Sequence, residues 1–396
     1  MTYVLNDYVA MVSDERRTGA YVRALQCLVR PDSVVLDLGT GFGFFAVLAA
    51  RLGAKHVYAV DPNDAISLGP ELARDNGVSD RVTFFHADSR DISLPERANV
   101  LVEDVRGVLP YHADRVRLLC DARHRLLTPN ARVVAERDHL FAAPVRARPD
   151  WSNDRRVLQD GAFGVSLEAI ARRTADAWRR GRIAPDQVLF GAESIGSIEL
   201  ATVQSPNFEG IAAWTVPAAA RIDGFTVWFD AELAGGERFS TAPGPAQAVH
   251  GSSYFPLREP IEVLPGDGLR FRFVGIQGGS DYTWIWECGC RRGADAAWTP
   301  GPRQSSIGAT LLASRRLASQ SQEHVPTLGE GGYRLQRATA LIDGIRESRE
   351  IAAALAATAA CGFRDKDQAF AWLVRVLRNL EVGDRPQSET EPSGID

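Results

Sequence analysis

The ten residues Val34-Val35-Leu36-Asp37-Leu38-Gly39-Thr40-Gly41-Phe42-Gly43 decide the fold. An aliphatic run interrupted only by Asp37 meets three alternating glycines and then the helical stretch FFAVLAARLGA (44–54). That is a buried strand turning into a helix, where glycine lets backbone amides close on a ligand. Working outward, HVYAVD (56–61), VTFFHAD (82–88), ANVLVED (98–104) and ARVVAE (131–136) alternate with helical stretches. Five strands with helices between them predict a mostly parallel sheet covered on both faces. Ahead of them, residues 1–30 read as helical, because Val9, Val12, Tyr21, Leu25 and Leu28 recur at near-helical spacing before Pro31.

Three of those strand ends carry chemistry. Glycines follow the first strand. Asp61 ends the second, about twenty residues on, where a carboxylate accepts ribose hydroxyls. Asp88 and Ser89 end the third, placed to meet an adenine edge. Each aspartate alone is as readily a helix or turn cap; together they predict a nucleoside site at the carboxyl edge of the sheet. Asp37 in the glycine loop, and the lack of a nicotinamide-type second half, favour S-adenosylmethionine over NAD.

After residue 145 the pattern changes to SIELATVQ (197–204), GIAAWTV (210–216), GFTVWFDAEL (224–233), IEVLPGDGLRFRFVGI (261–276) and YTWIWEC (282–288). Aromatic and β-branched runs split by Gly and Pro predict an antiparallel barrel or sandwich over 146–313. Within it SLEAIARRTADAWRRG (166–181) is helical and basic, either a solvated surface helix or an arm reaching another subunit. Beyond a polar stretch near 314–326, residues 320–383 hold two amphipathic helical segments around Gly362, and 384–396 read as a disordered tail.

Composition excludes several classes. With 45 basic and 50 acidic residues, the net charge of −5 offers no basic excess for nucleic acid. No apolar run is long enough to span a membrane and the N-terminus lacks a secretory pattern, so the expected setting is cytoplasmic. Five scattered cysteines form neither a disulfide framework nor paired zinc knuckles; Cys288 and Cys290 supply only two ligands, and no metal is expected.

The segment MVSDERRTGAYVRAL (11–25), the glycine loop, Asp61 with Pro62 after it, WFDAEL (228–233), RFSTAPGPAQAVHGSSYFPL (238–257) and IEVLPGD (261–267) together resemble the protein arginine methyltransferases, in a divergent bacterial form, over residues 1–290. The resemblance implies an S-adenosylmethionine-binding Rossmann-like domain over 1–145, then a β-barrel carrying a dimerisation arm near 166–181, in a homodimer. It implies that Arg17 pairs with the cofactor's carboxylate and Met11 lines its sulfonium, alongside Asp37, Gly39, Gly41, Asp61, Pro62, Asp88 and Ser89. His250 stands in the loop where the family has Thr-His-Trp, with Gly251 in place of the Trp.

The departure lies in VEDVRGVLPYHADRV (102–116). The family has two glutamates there that grip a guanidinium. Aligned on Gly107, Asp104 stands at the first and Ala113 at the second, with His112 and Asp114 beside it. Glu103, Asp104, His112, Asp114 and His250 are therefore the candidate catalytic residues. Arg106 is the candidate acceptor-binding residue, or else the partner of Glu103 in an internal ion pair. The acceptor is expected to be an amine, guanidine or carboxylate of a peptide or small natural-product precursor. A non-catalytic cofactor-binding or regulatory protein on the same fold stays open as the alternative. VPTLGEGGYRLQRATALIDGIRES (325–348) and its continuation resemble small winged-helix domains that capture leader peptides, which implies a peptide acceptor recruited by strand addition; a helical packing element is the competing reading.

Overall fold

All five residues of strand β1 (Val34–Leu38) are buried, as a strand covered by helices on both faces requires. A computed structural model describes residues 4–244, 249–279, 281–293, 296–310 and 323–377. The chain divides into two compact units, Met1–Thr310 and Leu311–Asp396.

The first unit opens with helices α1 (Leu5–Ser13) and α2 (Glu15–Leu28). The helical run expected over 1–30 is broken at Asp14, whose side chain caps α2 by accepting from the Arg17 N–H. After β1 follow α3 (Phe44–Arg51), β2 (His56–Asp61), α4 (Gly69–Asp75), β3 (Val82–His86), β4 (Ala98–Glu103), α5 (Arg115–Arg125) and β5 (Leu127–Val133). The five strands are parallel in the order β3-β2-β1-β4-β5. Strand order reverses between β1 and β4, and a ligand crevice belongs outside the carboxyl ends of those two strands.

The expected fifth strand ARVVAE is in fact a junction. Its first half closes β5, and β6 (Ala135–Val145) runs into an antiparallel sheet, ten residues before the boundary expected at 145. Val134 between them donates its N–H to the Leu101 carbonyl at 2.8 Å.

Helices α6 (Pro149–Asp160) and α7 (Glu168–Thr174) come next, then β7 (Arg179–Gly181), β8 (Glu193–Glu199), β9 (Phe208–Thr215), β10 (Ala220–Leu233), β11 (Arg238–Ser240), β12 (Ser252–Val263), β13 (Gly268–Gly278) and β14 (Asp281–Arg291). One sheet runs β7-β12-β10-β6-β8 and the other β14-β13-β9. Their inner faces interdigitate through aromatic rings: Phe225 stacks on Phe271 at 4.1 Å, and Phe255 meets Phe273 edge-on at 4.7 Å. Strand β9 alternates buried and exposed at every residue, the signature of a one-sided sheet. Among the described residues the two ladders do not close into the expected barrel; the first sheet ends on β7, a strand of only three residues.

The expected arm is shorter than 166–181. Its last three residues are β7, paired with Ser252–Tyr254, and its first partner is α6, which had no clear sequence signal. The turn between α6 and α7 carries fully exposed Phe163, with Val165 also exposed.

The second unit contains helices α8 (Glu330–Thr339), α9 (Ser348–Ala356) and α10 (Lys366–Leu377) around Ala338, Ile351, Leu355, Cys361 and Leu373. Its described residues include no strand, so neither the wing nor a sheet edge for strand addition is found among them. The tail expected over 384–396 lies outside the described residues. No helix among them is long and apolar enough to cross a membrane.

Candidate active site

A cavity of about 350 Å³ opens at the predicted crevice, beyond the carboxyl ends of β1 and β4. Met11, Arg17, Asp37, Gly39, Gly41, Asp61, Pro62, Asp88 and Ser89 all line it. Gly39 and Gly41 adopt φ of 74° and 60°, the left-handed region that favours glycine. A Cβ on Gly41 would sit 2.6 Å from the ring of Tyr8, which α1 lays over the loop. The Thr40 hydroxyl donates to Asp37 at 2.6 Å; burial nonetheless pushes the Asp37 carboxyl up to about 7.

Asp61 is held at both oxygens. Oδ2 accepts from the Gly41 N–H and Oδ1 from the Asn63 N–H, each at 2.8 Å. One further acceptor site remains on each oxygen, and two ribose hydroxyls need that many. Asp88 is placed differently from the expectation: it lines the cavity, but Arg90 grips its carboxylate through Nε at 2.9 Å and Nη2 at 2.7 Å. Ser89 is 4% exposed and its Oγ has no hydrogen-bond partner among the described residues. An orphaned buried hydroxyl facing a cavity calls for a ligand atom. The donor and acceptor set thus fits a nucleoside, with Ser89 rather than Asp88 offering the unpaired group.

The other half of the cavity rests on three carboxylates and three guanidinium groups. Arg106 is 2% exposed, and it corrects the expectation of an acceptor-binding cation. Its Nη2 donates to Asp138 at 2.8 Å, its Nη1 to Asp104 at 2.6 Å and also to the Tyr21 hydroxyl. The alternative partner, Glu103, is fully buried, does not line the cavity, and instead accepts from Arg115 Nε at 3.0 Å. Arg115 also reaches Asp138 at 2.7 Å. Asp114 likewise stands outside the cavity, at the N-cap position of α5, with its carboxylate engaged by Arg90 at 3.2 Å and Gln277 at 2.9 Å.

Asp104 does line the cavity, with Arg17 paired to Oδ2 and Arg106 to Oδ1. Burial would raise its pKa, but the two guanidinium groups hold it well below the usual carboxylate range. His250 Nε2 lies 3.9 Å from Asp104 Oδ2 without a hydrogen-bond partner among the described residues. Burial pushes this imidazole down to about 4, against the pull of Asp104, so it is neutral at pH 7. Asp14 fixes its loop by accepting from the Val249 N–H at 2.7 Å. His112 faces the cavity, its pKa lowered by burial, and Ala113 beside it has φ of 43°.

Of the residues that matter here, Asp138 and Arg115 had no sequence signal. A lone charged residue within a strand or an amphipathic helix reads as solvated until the fold buries it.

The ribosomal protein L11 methyltransferase family model matches residues 16–117. A probable protein arginine N-methyltransferase 6 of Arabidopsis thaliana is 27% identical over 235 residues, 57% of this chain and 54% of that protein. Protein arginine N-methyltransferase 1 of Schizosaccharomyces pombe is 26% identical over 272 residues, 66% of this chain and 78% of that one. The likeness is to protein arginine methyltransferases. Among solved structures, Arabidopsis thaliana protein arginine methyltransferase 10 superposes with a TM-score of 0.66 at 21% identity, covering 76% of this chain and 97% of that one. The Trypanosoma brucei enzyme–prozyme complex with AdoHcy gives 0.69 at 18% identity, covering 75% and 97%. At such identities the superpositions establish the fold. The matched region spans 54% to 64% of the length of the first curated relatives.

Proposed function

We propose that this chain is an S-adenosylmethionine-dependent N-methyltransferase acting on a peptide or small natural-product precursor. The observation that carries the reading is one cavity, at the strand-order reversal, in which Arg17 on α2, Asp61 at the end of β2 and the orphaned Ser89 hydroxyl after β3 line one part while Asp104 and His250 close the far side. Asp61 would hold the ribose, Ser89 the adenine edge, and Arg17, already anchored on Asp104, the cofactor's carboxylate. The cofactor supplies a methyl group on a sulfonium. The relatives' names specify arginine; for this chain the reading stops at a nitrogen nucleophile, because the second acid of the family's pair is Ala113 and Arg106 is consumed internally.

Assembly as a homodimer through the α6–α7 hairpin belongs to the same proposal, supported by the exposed Phe163 and Val165 at its tip. Sedimentation of the intact protein as a monomer would remove it. For the activity, titration calorimetry with S-adenosylhomocysteine tests the cofactor site, and transfer of a labelled methyl group to peptide and small-molecule nitrogen acceptors tests catalysis. Binding without transfer to any acceptor would favour a non-catalytic role.

A further inference from the structure

Among the described residues the acceptor side of the cavity contains neither a free anion nor a free cation. Asp104 is the one carboxylate facing it from the loop after β4, and both its oxygens are taken by guanidinium groups. The position that would complete an acidic pair is Ala113, and the next carboxylate, Asp114, is turned away to Arg90 and Gln277. Arg106 is sealed against Asp138, Asp104 and Tyr21 with no exposed side-chain surface. What remains is two imidazoles, those of His112 and His250, both with pKa lowered by burial, and of these the Nε2 of His250 is buried and without a partner among the described residues.

A guanidinium entering here would be a cation buried beside a sulfonium with no carboxylate left to pair with it, and an unpaired buried charge is strongly disfavoured. An aliphatic amine, with a pKa of about 10.4, arrives charged and meets the same penalty. A carboxylate finds no unengaged guanidinium. An alcohol or a phenol, the latter with a pKa of about 10, would have to surrender its proton before attack, and a desolvated neutral imidazole is too weak a base to take it. An imidazole, with a pKa of about 6.5, carries a free nitrogen lone pair while still uncharged at neutral pH.

Resting on the methyltransferase reading above, we propose that the acceptor is an uncharged imidazole-type ring nitrogen, and that the site discriminates against arginine. The lone pair of the unprotonated ring nitrogen forms the new N–C bond as the S–CH3 bond breaks, with its electron pair going to sulfur. The positive charge passes to the methylated ring, whose other N–H donates a hydrogen bond to His250 Nε2 and gives up its proton to water once the product leaves the site. Asp104, 3.9 Å from that nitrogen, stabilises the imidazolium during the transfer. The positive charge only changes place as the methyl group moves, from sulfur to ring, and it leaves the cavity with the proton.

Calorimetric titration of the protein saturated with S-adenosylhomocysteine, using the capped amino acids N-acetylhistidine methylamide and N-acetylarginine methylamide, tests this apart from turnover. The histidine probe is expected to bind at least about tenfold tighter, a difference of about 1.4 kcal/mol. Its affinity should fall as pH drops below about 6.5, where the probe itself protonates. In Ala113→Glu, which restores a second acid, the arginine probe should gain about tenfold. Equal or tighter arginine binding by the unaltered protein overturns the inference, as does failure of the histidine probe to bind. Failure of S-adenosylhomocysteine itself to bind would instead reject the underlying methyltransferase reading. The unaltered protein decides the matter even if Ala113→Glu does not fold.

Discussion

The two halves of the cavity are built on different principles. On the nucleoside side each carboxylate has its own donors, drawn from the glycine loop and the turn after β2: Asp61 the amides of Gly41 and Asn63, Asp37 the hydroxyl of Thr40. On the acceptor side the residues are fixed through one another: Arg106 pairs with Asp104 two positions away, and each also relies on a distant partner. Asp104 depends on Arg17, 87 positions earlier, and Arg106 on Asp138, 32 positions later. Short-range anchoring tolerates a change at one residue, whereas a shared network transmits it. The nucleoside side is therefore expected to lose affinity in small steps, and the acceptor side to fail as a unit.

Breaking the network at its centre should have the largest effect. Asp138→Ala leaves Arg106 and Arg115 buried without their common carboxylate, and should cost about 3–5 kcal/mol in denaturant-measured stability. A loss under about 1 kcal/mol would show that the network holds less than its geometry suggests.

On the nucleoside side, Asp37 sharpens the comparison through pH. Its folded pKa is raised to about 7, so the folded state holds the proton that the unfolded chain has already released. The associated stability is fully present below the unfolded pKa of 3.8 and is lost as pH rises through about 7, on the order of 4 kcal/mol. His250 acts in the opposite direction over part of that range, because its pKa is depressed to about 4. The quantity to measure is thus the difference in thermal stability between wild type and Asp37→Asn, at pH 5 and at pH 8. It should shift in favour of the variant at the higher pH; a pH-independent difference would contradict the assignment.

His250→Asn should lower turnover by about 10² and leave S-adenosylhomocysteine affinity unchanged, which a purely structural role would not do. Asp61→Ala should weaken that affinity by about 1.5–3 kcal/mol without altering acceptor preference. The smallest expected effect is at Ser89. Removing its hydroxyl with Ser89→Ala should cost about 0.5–1.5 kcal/mol of cofactor affinity, and no change would mean that the orphaned oxygen does not meet the ligand.

The same contrast explains how much was legible in the sequence. The parallel sheet, its glycine loop and the residues at its strand ends could be read directly, because strand periodicity and a local turn place them without reference to distant parts of the chain. Ser89 was found with its neighbour Asp88, although spacing alone could not show which of the two Arg90 would engage. Arg106 reads as either an acceptor contact or an internal pair with Glu103, and its actual partner was missed for the opposite reason. Its partner Asp138 lies on β6 of the other sheet, and an ion pair formed across a sheet junction leaves no spacing signal. The arm was misjudged in length because β7 is too short to show alternation, and the barrel was expected to close because strand count says nothing of where an edge stops.

The junction at Val134 has a mechanical consequence. Because β5 passes into β6 with one intervening residue, itself hydrogen-bonded to Leu101, no slack chain connects the sheet that positions the cofactor to the sheet that carries Asp138 and backs His250. There is no hinge at that point to flex. Access for a cofactor then falls to the periphery, and α1, which has no buried residue yet lays Tyr8 over the glycine loop, is the element that can swing aside with the least loss of packing.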